Sequence, residues 1–143
     1  MDKNLFFLNG RSALMAGLML LQLQKDDEVL IPQFICDSVL YPFKDLKIKT
    51  NFYKVKKNLN PDWIDINKKF SKKTKAIMMI HYFGFPTETK KFLNFKKKNK
   101  IYLIEDYCHG YTGKKNKIEL GNIGDFSFSS LKKIFPDTIS GGI

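Results

Sequence analysis

"KAIMMIHYFGFPTETKKFLNFKKKNKIYLIED", residues 75–106, decides the fold. It opens with an apolar run over 75–84, bounded by Gly84 and Pro86, the pattern of a strand covered on both faces. "TETKKFLNFKKKNK" follows as a helix, with Thr87 as N-cap and Glu88 in the first turn. "IYLIED" (101–106) is a second buried strand. Strand, helix and strand at this spacing make a βαβ unit, and such units build parallel sheets. The fold class is therefore α/β.

The flanks extend the same pattern. Apolar residues in "SALMAGLMLLQL" (12–23) recur at helical spacing around most of the circumference, which predicts a well-buried helix. "EVLIP" (28–32) reads as a short strand stopped by Pro32, and "CDSVLYPF" as a short helix. "KIKTNFYKV" (47–55) alternates as an exposed or edge strand does. "NPDWIDINKKF" predicts a helix with Pro61 in its first turn. Downstream, "GDFSFSS" (124–130) alternates Phe126 and Phe128 with serines, as a short strand would.

Composition narrows the class. The chain has 143 residues, 43% hydrophobic and 14% aromatic, enough for one domain with a sizeable core. Cys36 and Cys108 form no CxxC pair, so a reducing cytoplasm is expected rather than a disulfide framework. The opening "MDKNLFFLNG" is too short for a signal peptide and "ALMAGLMLLQLQ" too short to span a bilayer, so a soluble protein without a membrane partner is expected. The net charge of +11 invites a nucleic-acid reading. Arg11 is the single arginine among 25 cations, however, and arginine is favoured for bidentate phosphate and base contacts. The lysine runs at 68–75 and 90–100 read as solvated helix faces, and no nucleic-acid partner is expected.

The chemistry gathers at "IYLIEDYCHG" (101–110), where a buried strand ends in Glu105 and Asp106, with Cys108 and His109 just beyond. Ligands bind open parallel sheets at the carboxyl ends of their strands. A zinc site would need further ligands at paired short spacings, and only His81 and Cys36 remain to supply them. A cysteine nucleophile would need its thiol within reach of an imidazole, which near neighbours after a strand seldom achieve; Cys108 reads as a small apolar filler. The third reading is a cofactor clamp: a buried aspartate can hold the protonated ring nitrogen of pyridoxal 5'-phosphate (PLP). "NGRSAL" (9–14) begins a helix whose free amides attract an anion, with Arg11 and Ser12 adding donors. "SFSSLKK" (127–133) brings hydroxyls and lysines after another strand.

These segments, in order, resemble the DegT/DnrJ/StrS family of PLP-dependent sugar aminotransferases. "GRSAL" is similar to its phosphate segment, "DDEVLIPQF" to its Asp-Glu-Val-strand-Pro step, and "TKAIMMIHYFGFP" to its strand-His-x-x-Gly-x-Pro. "IEDYCHG" resembles Ile-Glu-Asp-Ala-Ala-Gln/His, and "GNIGDFSFSSLKK…GG" the Phe-Ser-Phe segment that leads to the family's lysine.

The resemblance implies an α/β/α sandwich with a mainly parallel sheet, the N-terminal portion (1–143) of a fold type I large domain, without the C-terminal small domain. It implies a transfer of an amino group, commonly from glutamate, to a nucleotide-linked keto sugar in surface polysaccharide synthesis, by a cytoplasmic homodimer. A non-catalytic remnant, a partner-dependent half-enzyme and a small basic nucleic-acid-binding protein stand as alternatives. By resemblance, Lys132 carries the cofactor as a Schiff base, with Lys133 its rival. Asp106 holds the ring nitrogen, His109 lies near the ring hydroxyl, and Ser127, Ser12 and Arg11 bind the phosphate. Phe34 is the substitute for an aromatic ring that many relatives place where Cys36 stands. Glu105 is expected to bond nearby backbone, and His81 to be a satisfied core histidine.

Overall fold

The computed structural model describes residues 4–115, 118–135, 137 and 141–143; the first three residues of the opening segment lie outside these. In chain order they form α1 (Gly10–Leu20), β1 (Glu28–Pro32), α2 (Leu40–Asp45), β2 (Lys49–Tyr53), α3 (Trp63–Lys69), β3 (Thr74–Ile80), α4 (Thr89–Asn99) and β4 (Tyr102–Asp106). A two-residue antiparallel ribbon, β5 (Lys114–Lys115) with β6 (Ile118–Glu119), precedes β7 (Phe126–Phe128). The main sheet runs β2-β1-β3-β4-β7 with every pair parallel.

The helices cover both faces of this sheet, and the strands show why their apolar runs are continuous. Met78 and Ile104 join α1 and α2 in one buried cluster with Leu14, Leu18 and Phe43. Their neighbours Ile77, Met79 and Leu103 point the other way, to Ile66 of α3 and Phe92 and Phe95 of α4. Successive side chains alternate between faces, so a strand with helices on both sides needs apolar residues at every position. β2 is an edge strand, as its mixed pattern indicates.

Several boundaries differ from those read in the sequence. α1 begins at Gly10 because Asn9 caps it, its Oδ1 accepting from the Ser12 amide at 3.0 Å, and it ends at Leu20. α3 begins at Trp63: Asp62 rather than Pro61 sets its start, accepting from the amides of Ile64 and Asp65. The cap of α4 is Glu88, not Thr87. β3 stops at Ile80, and Tyr82–Gly84 form a 3₁₀ turn.

The strand ends are locked together by one carboxylate. Glu105 is fully buried, and its two oxygens accept from the amides of Gly121, Ile123 and Gly124 at 2.8–2.9 Å. His81 Nε2 adds a fourth donor at 3.0 Å, and the Ser127 hydroxyl lies 3.1 Å away, its one hydrogen shared with the Gly121 carbonyl. The His81 Nδ1 accepts from the Thr87 amide, so the hydrogen of the neutral ring lies on Nε2 and points at Glu105. Burial alone would raise the pKa of Glu105, but the His81 bond and the three amides outweigh it and leave the carboxyl below its ordinary range.

A carboxylate whose folded-state pKa is depressed adds stability above its unfolded value, and that stability is lost as the pH falls through the folded one. Replacing Glu105 by Gln sets an NH2 group against backbone donors. We expect Glu105→Gln to cost about 3 kcal/mol, measured by urea unfolding at neutral pH with an unchanged denaturant slope. The deficit should shrink as the pH is taken below the carboxylate range.

Candidate functional site

The parity of β4 separates its two terminal carboxylates. Glu105 stands opposite Ser127 and Asp106 opposite Phe128 in the parallel register, so Asp106 faces away from the Glu105 network. The Asp106 Oδ1 accepts from the Cys108 amide at 2.9 Å. Burial raises the pKa of Asp106 above its ordinary value, against the Cys108 bonds and the nearby positive charge of Lys133. Cys108 is itself buried; burial, then Asp106, pushes its thiol far up, which makes it an inert filler.

Beside this strand end lies a cavity of about 330 Å³, lined by Gly10, Arg11, Cys108, Ser130, Lys132 and Lys133 among others. The start of α1 presents the open amides and positive dipole end that suit an anion. The two ends of the described chain pair beside this cavity, whose lining Gly141 joins. Phe7 and Gly142 exchange backbone hydrogen bonds at 2.8 and 2.9 Å, and Ser129 does the same with Ile143 at 2.9 and 3.3 Å. A Cβ on Gly142 would lie 2.3 Å from the carbonyl of Asn9, so only glycine lets the strap approach the helix cap this closely. A larger cavity, about 390 Å³, lies between α1 and β7, but no lysine, arginine, histidine or cysteine lines it.

His109 stands at the rim, exposed, with its Nδ1 accepting from the Phe83 amide at 3.2 Å and its Nε2 3.2 Å from Lys133 Nζ. Burial, then the charge of Lys133, holds its pKa below the usual imidazole value. The Phe83 ring stacks on it at 5.8 Å between centroids.

Set against the expected residues, the structure brings Arg11, Lys132 and Lys133 to the cavity, while Asp106 and His109 stand at the adjoining strand end, outside its lining. It does not bring Ser12 or Ser127. Ser12 Oγ donates to the Asn9 cap at 3.3 Å. Ser127 Oγ is spent on Glu105 and on the Gly121 carbonyl at 2.6 Å, and the residue lines the other cavity. The alternation of Phe126, Ser127 and Phe128 already carried that parity; the serines at the cavity are Ser38 and Ser130. Phe34 packs on Tyr82 at 5.4 Å, and Cys36 is exposed with its Sγ 3.1 Å from Ser38 Oγ; neither lines the cavity. Ser130, Phe83 and Gly142 were missed by the sequence reading. Among the described residues, no group of three His, Cys, Asp or Glu side chains is placed to hold a metal ion, and no helix is long and apolar enough to cross a membrane.

Fold and site together define an α/β protein that collects helix amides, lysines and a buried carboxylate at the carboxyl end of a parallel sheet. Over residues 3–143 the chain matches the DegT/DnrJ/EryC1/StrS aminotransferase family, and it belongs to that family. It is 29% identical over 133 residues to a GDP-perosamine synthase of Escherichia coli O157:H7, an alignment covering 88% of this chain and 36% of that one. It is 26% identical over 121 residues to a GDP-4-keto-6-deoxy-D-mannose 3-dehydratase of Yersinia pseudotuberculosis, covering 83% and 31%. The fold is shared with the PMP form of a candidate sugar aminotransferase from Streptococcus pneumoniae, at TM-score 0.89 and 18% identity, over 99% of this chain and 40% of that one. The chain spans about a third of the length of the curated relatives it matches.

The donor set fits PLP. Arg11, the lysines and the α1 amides suit its phosphate, and a buried carboxylate suits a protonated ring nitrogen. Because burial outweighs the charge of Lys133, Asp106 costs stability at neutral pH: its raised folded-state pKa favours folding only below that value. Asp106→Asn should therefore stabilise the cofactor-free chain by about 1 kcal/mol, seen as a higher melting temperature at pH 7 that converges with the parent's at acidic pH.

Proposed function

We propose that this chain forms the cofactor-holding part of a PLP-dependent aminotransferase that moves an amino group from an amino acid such as glutamate to a nucleotide-linked keto sugar, in surface polysaccharide synthesis. The observation that carries this reading is the convergence of the α1 N-terminus, Arg11 and two lysines on one cavity beside the strand end that carries the buried Asp106. The sugar part of the reading rests on relatives named for GDP-linked sugars. The lysines at 132 and 133 favour transamination over dehydration, since sugar-dehydrating relatives carry histidine at the corresponding place.

Bound PLP would supply an electron sink for breaking a C–H bond beside nitrogen. Arg11, Ser130 and the first amides of α1 would hold the phosphate and fix the depth of the ring. Asp106 would hold the ring nitrogen protonated, and His109 would stand beside the ring hydroxyl. Lys132 would anchor the cofactor covalently and, once released, its amine would carry the proton between the two carbon positions. The remaining two thirds of the relatives' length is where the sugar pocket, the partner subunit and full turnover are expected to reside.

The test is to mix the purified chain with PLP, record the visible absorption, reduce with borohydride and map the modified peptide. A visible band and a single reduced adduct on Lys132, both abolished in Lys132→Ala, are expected. A single adduct on Lys133 would reassign the anchoring lysine. Label scattered over the lysines of α4 and the 68–75 run, or no band at all, would overturn the reading and leave a remnant that keeps the fold alone.

A further inference from the structure

The lysine runs at 68–75 and 90–100, each a solvated helix face when read singly, are brought together by the fold. α3 and α4 pack on the same face of the sheet, away from α1 and α2. Trp63 of α3 meets Phe92 at 4.9 Å and Phe95 at 5.8 Å between ring centroids, and Phe70, just past the end of α3, meets Phe95 at 5.5 Å. The two helices lead into β3 and β4, neighbours in parallel register with Ala76 opposite Tyr102. Paired strands stand about 5 Å apart, so the segments that follow the two helices emerge together at the amino edge of the sheet.

Between them the runs hold eleven lysines and no carboxylate. Lys69, Lys91 and Lys96 are neutralised by Asp65, Glu88 and Asp125. The other eight are exposed, and none has an ion-pair partner among the described residues. Helix dipoles account for part of this charge, since cations favour the last turn. They do not account for Lys72, Lys73 and Lys75, which lie beyond α3, or for Lys90, in the first turn of α4. Lys100 stands at φ 54°, a left-handed cap that glycine or asparagine adopts with less strain. Apolar side chains stand among these charges. Leu93 is 40% exposed with Lys90 and Lys97 one turn away on either side, Ile64 is 83% exposed one turn before Lys68, and Tyr102 is 45% exposed two residues after Lys100.

Lysine is a point charge that lacks the bidentate fork of arginine, and exposed apolar groups add nothing to a phosphate backbone. Interleaved, the two suit a surface with diffuse negative charge over an apolar interior. We propose that the outer face of α3 and α4, with the lysines at the amino edge of the sheet, docks the protein peripherally on a bilayer rich in anionic lipid headgroups. The lysines supply the attraction within a Debye length of the headgroups, and Leu93, Ile64 and Tyr102 rest at the headgroup level. The cavity beside Asp106 is lined from the α1 side of the sheet, so docking leaves it open. Nothing in this inference depends on the proposed function.

The test is co-sedimentation of the full chain with vesicles of phosphatidylglycerol and phosphatidylcholine, set against vesicles of phosphatidylcholine alone. Binding to the anionic vesicles only, weakening steeply as salt is raised, is expected. Each lysine at such a surface is worth about fivefold in affinity, so Lys72→Gln with Lys73→Gln should cost more than about tenfold without touching a helix. Adding Lys97→Gln and Lys98→Gln should carry the loss beyond about a hundredfold. A control with Lys44→Gln, Lys56→Gln, Lys57→Gln and Lys114→Gln has the same net charge as that quadruple variant and should bind much as the parent does. Leu93→Asn should weaken vesicle binding with no change in charge. Circular dichroism checks that each variant keeps its fold. No binding to the anionic vesicles, equal binding to the neutral ones, or equal loss in the control and the patch variants would overturn the proposal. Retention on duplex DNA at a lower phosphate concentration than on anionic lipid would also overturn it, and reassign the face to nucleic acid.

Discussion

A buried carboxylate held by three amides, a histidine and a shared serine hydroxyl is the constraint on which the rest of the structure depends. Glu105 takes donors from the 121–124 loop, from β7 and from the histidine that follows β3. An unpaired carboxylate at this depth would be expensive, and three amides without an acceptor hardly less so. The loop, the short third partner strand and the end of β3 are therefore held by charge satisfaction more than by length of pairing. β7 has only three residues, too few to keep its register by backbone bonds alone.

The neighbouring carboxylate makes the opposite use of burial. Adjacent residues of a strand face opposite sides, so Glu105 enters a shell of donors while Asp106 meets one amide, a thiol and the charge of Lys133. One carboxyl is driven below its ordinary pKa and the other above it. The first is fully occupied with structure; the second retains unspent acidity and faces the cavity side. This is the division expected where a fold supports a site and sacrifices some stability to it.

The site is assembled from distant parts of the chain. The start of α1, the residues after β4, the end of β7 with the segment beyond it, and Gly141 meet at one cavity. Each contributes little alone: two amides, a lysine or a glycine that allows a close approach. In a parallel α/β sheet the carboxyl ends of all strands lie on one side, which converts these separate pieces into one locus. The chain belongs to the aminotransferase family and spans about a third of the length of the curated relatives it matches, and this locus lies within that span.

Continuous apolar runs at 75–84 and 101–106, with a lysine-rich amphipathic helix between them, were enough to establish a parallel sheet covered on both faces, because that pattern has few other solutions. The motifs also placed Asp106, His109, Arg11 and the lysine pair at strand-to-helix junctions, and read Glu105, His81 and Cys108 as structural residues. The directions of Ser12 and Ser127 were decided only by tertiary structure. Ser12 is claimed by the Asn9 cap, and Ser127 lies on the Glu105 side of β7, so both hydroxyls are spent before any ligand arrives. The roles of Phe83, Ser130 and Gly142 were equally hidden, since each depends on a contact with residues 26, 120 or 133 positions away. Local patterning determines which face of an element is apolar. Which polar group a side chain finally meets is settled by packing, because buried donors and acceptors must be satisfied by whatever the fold brings beside them.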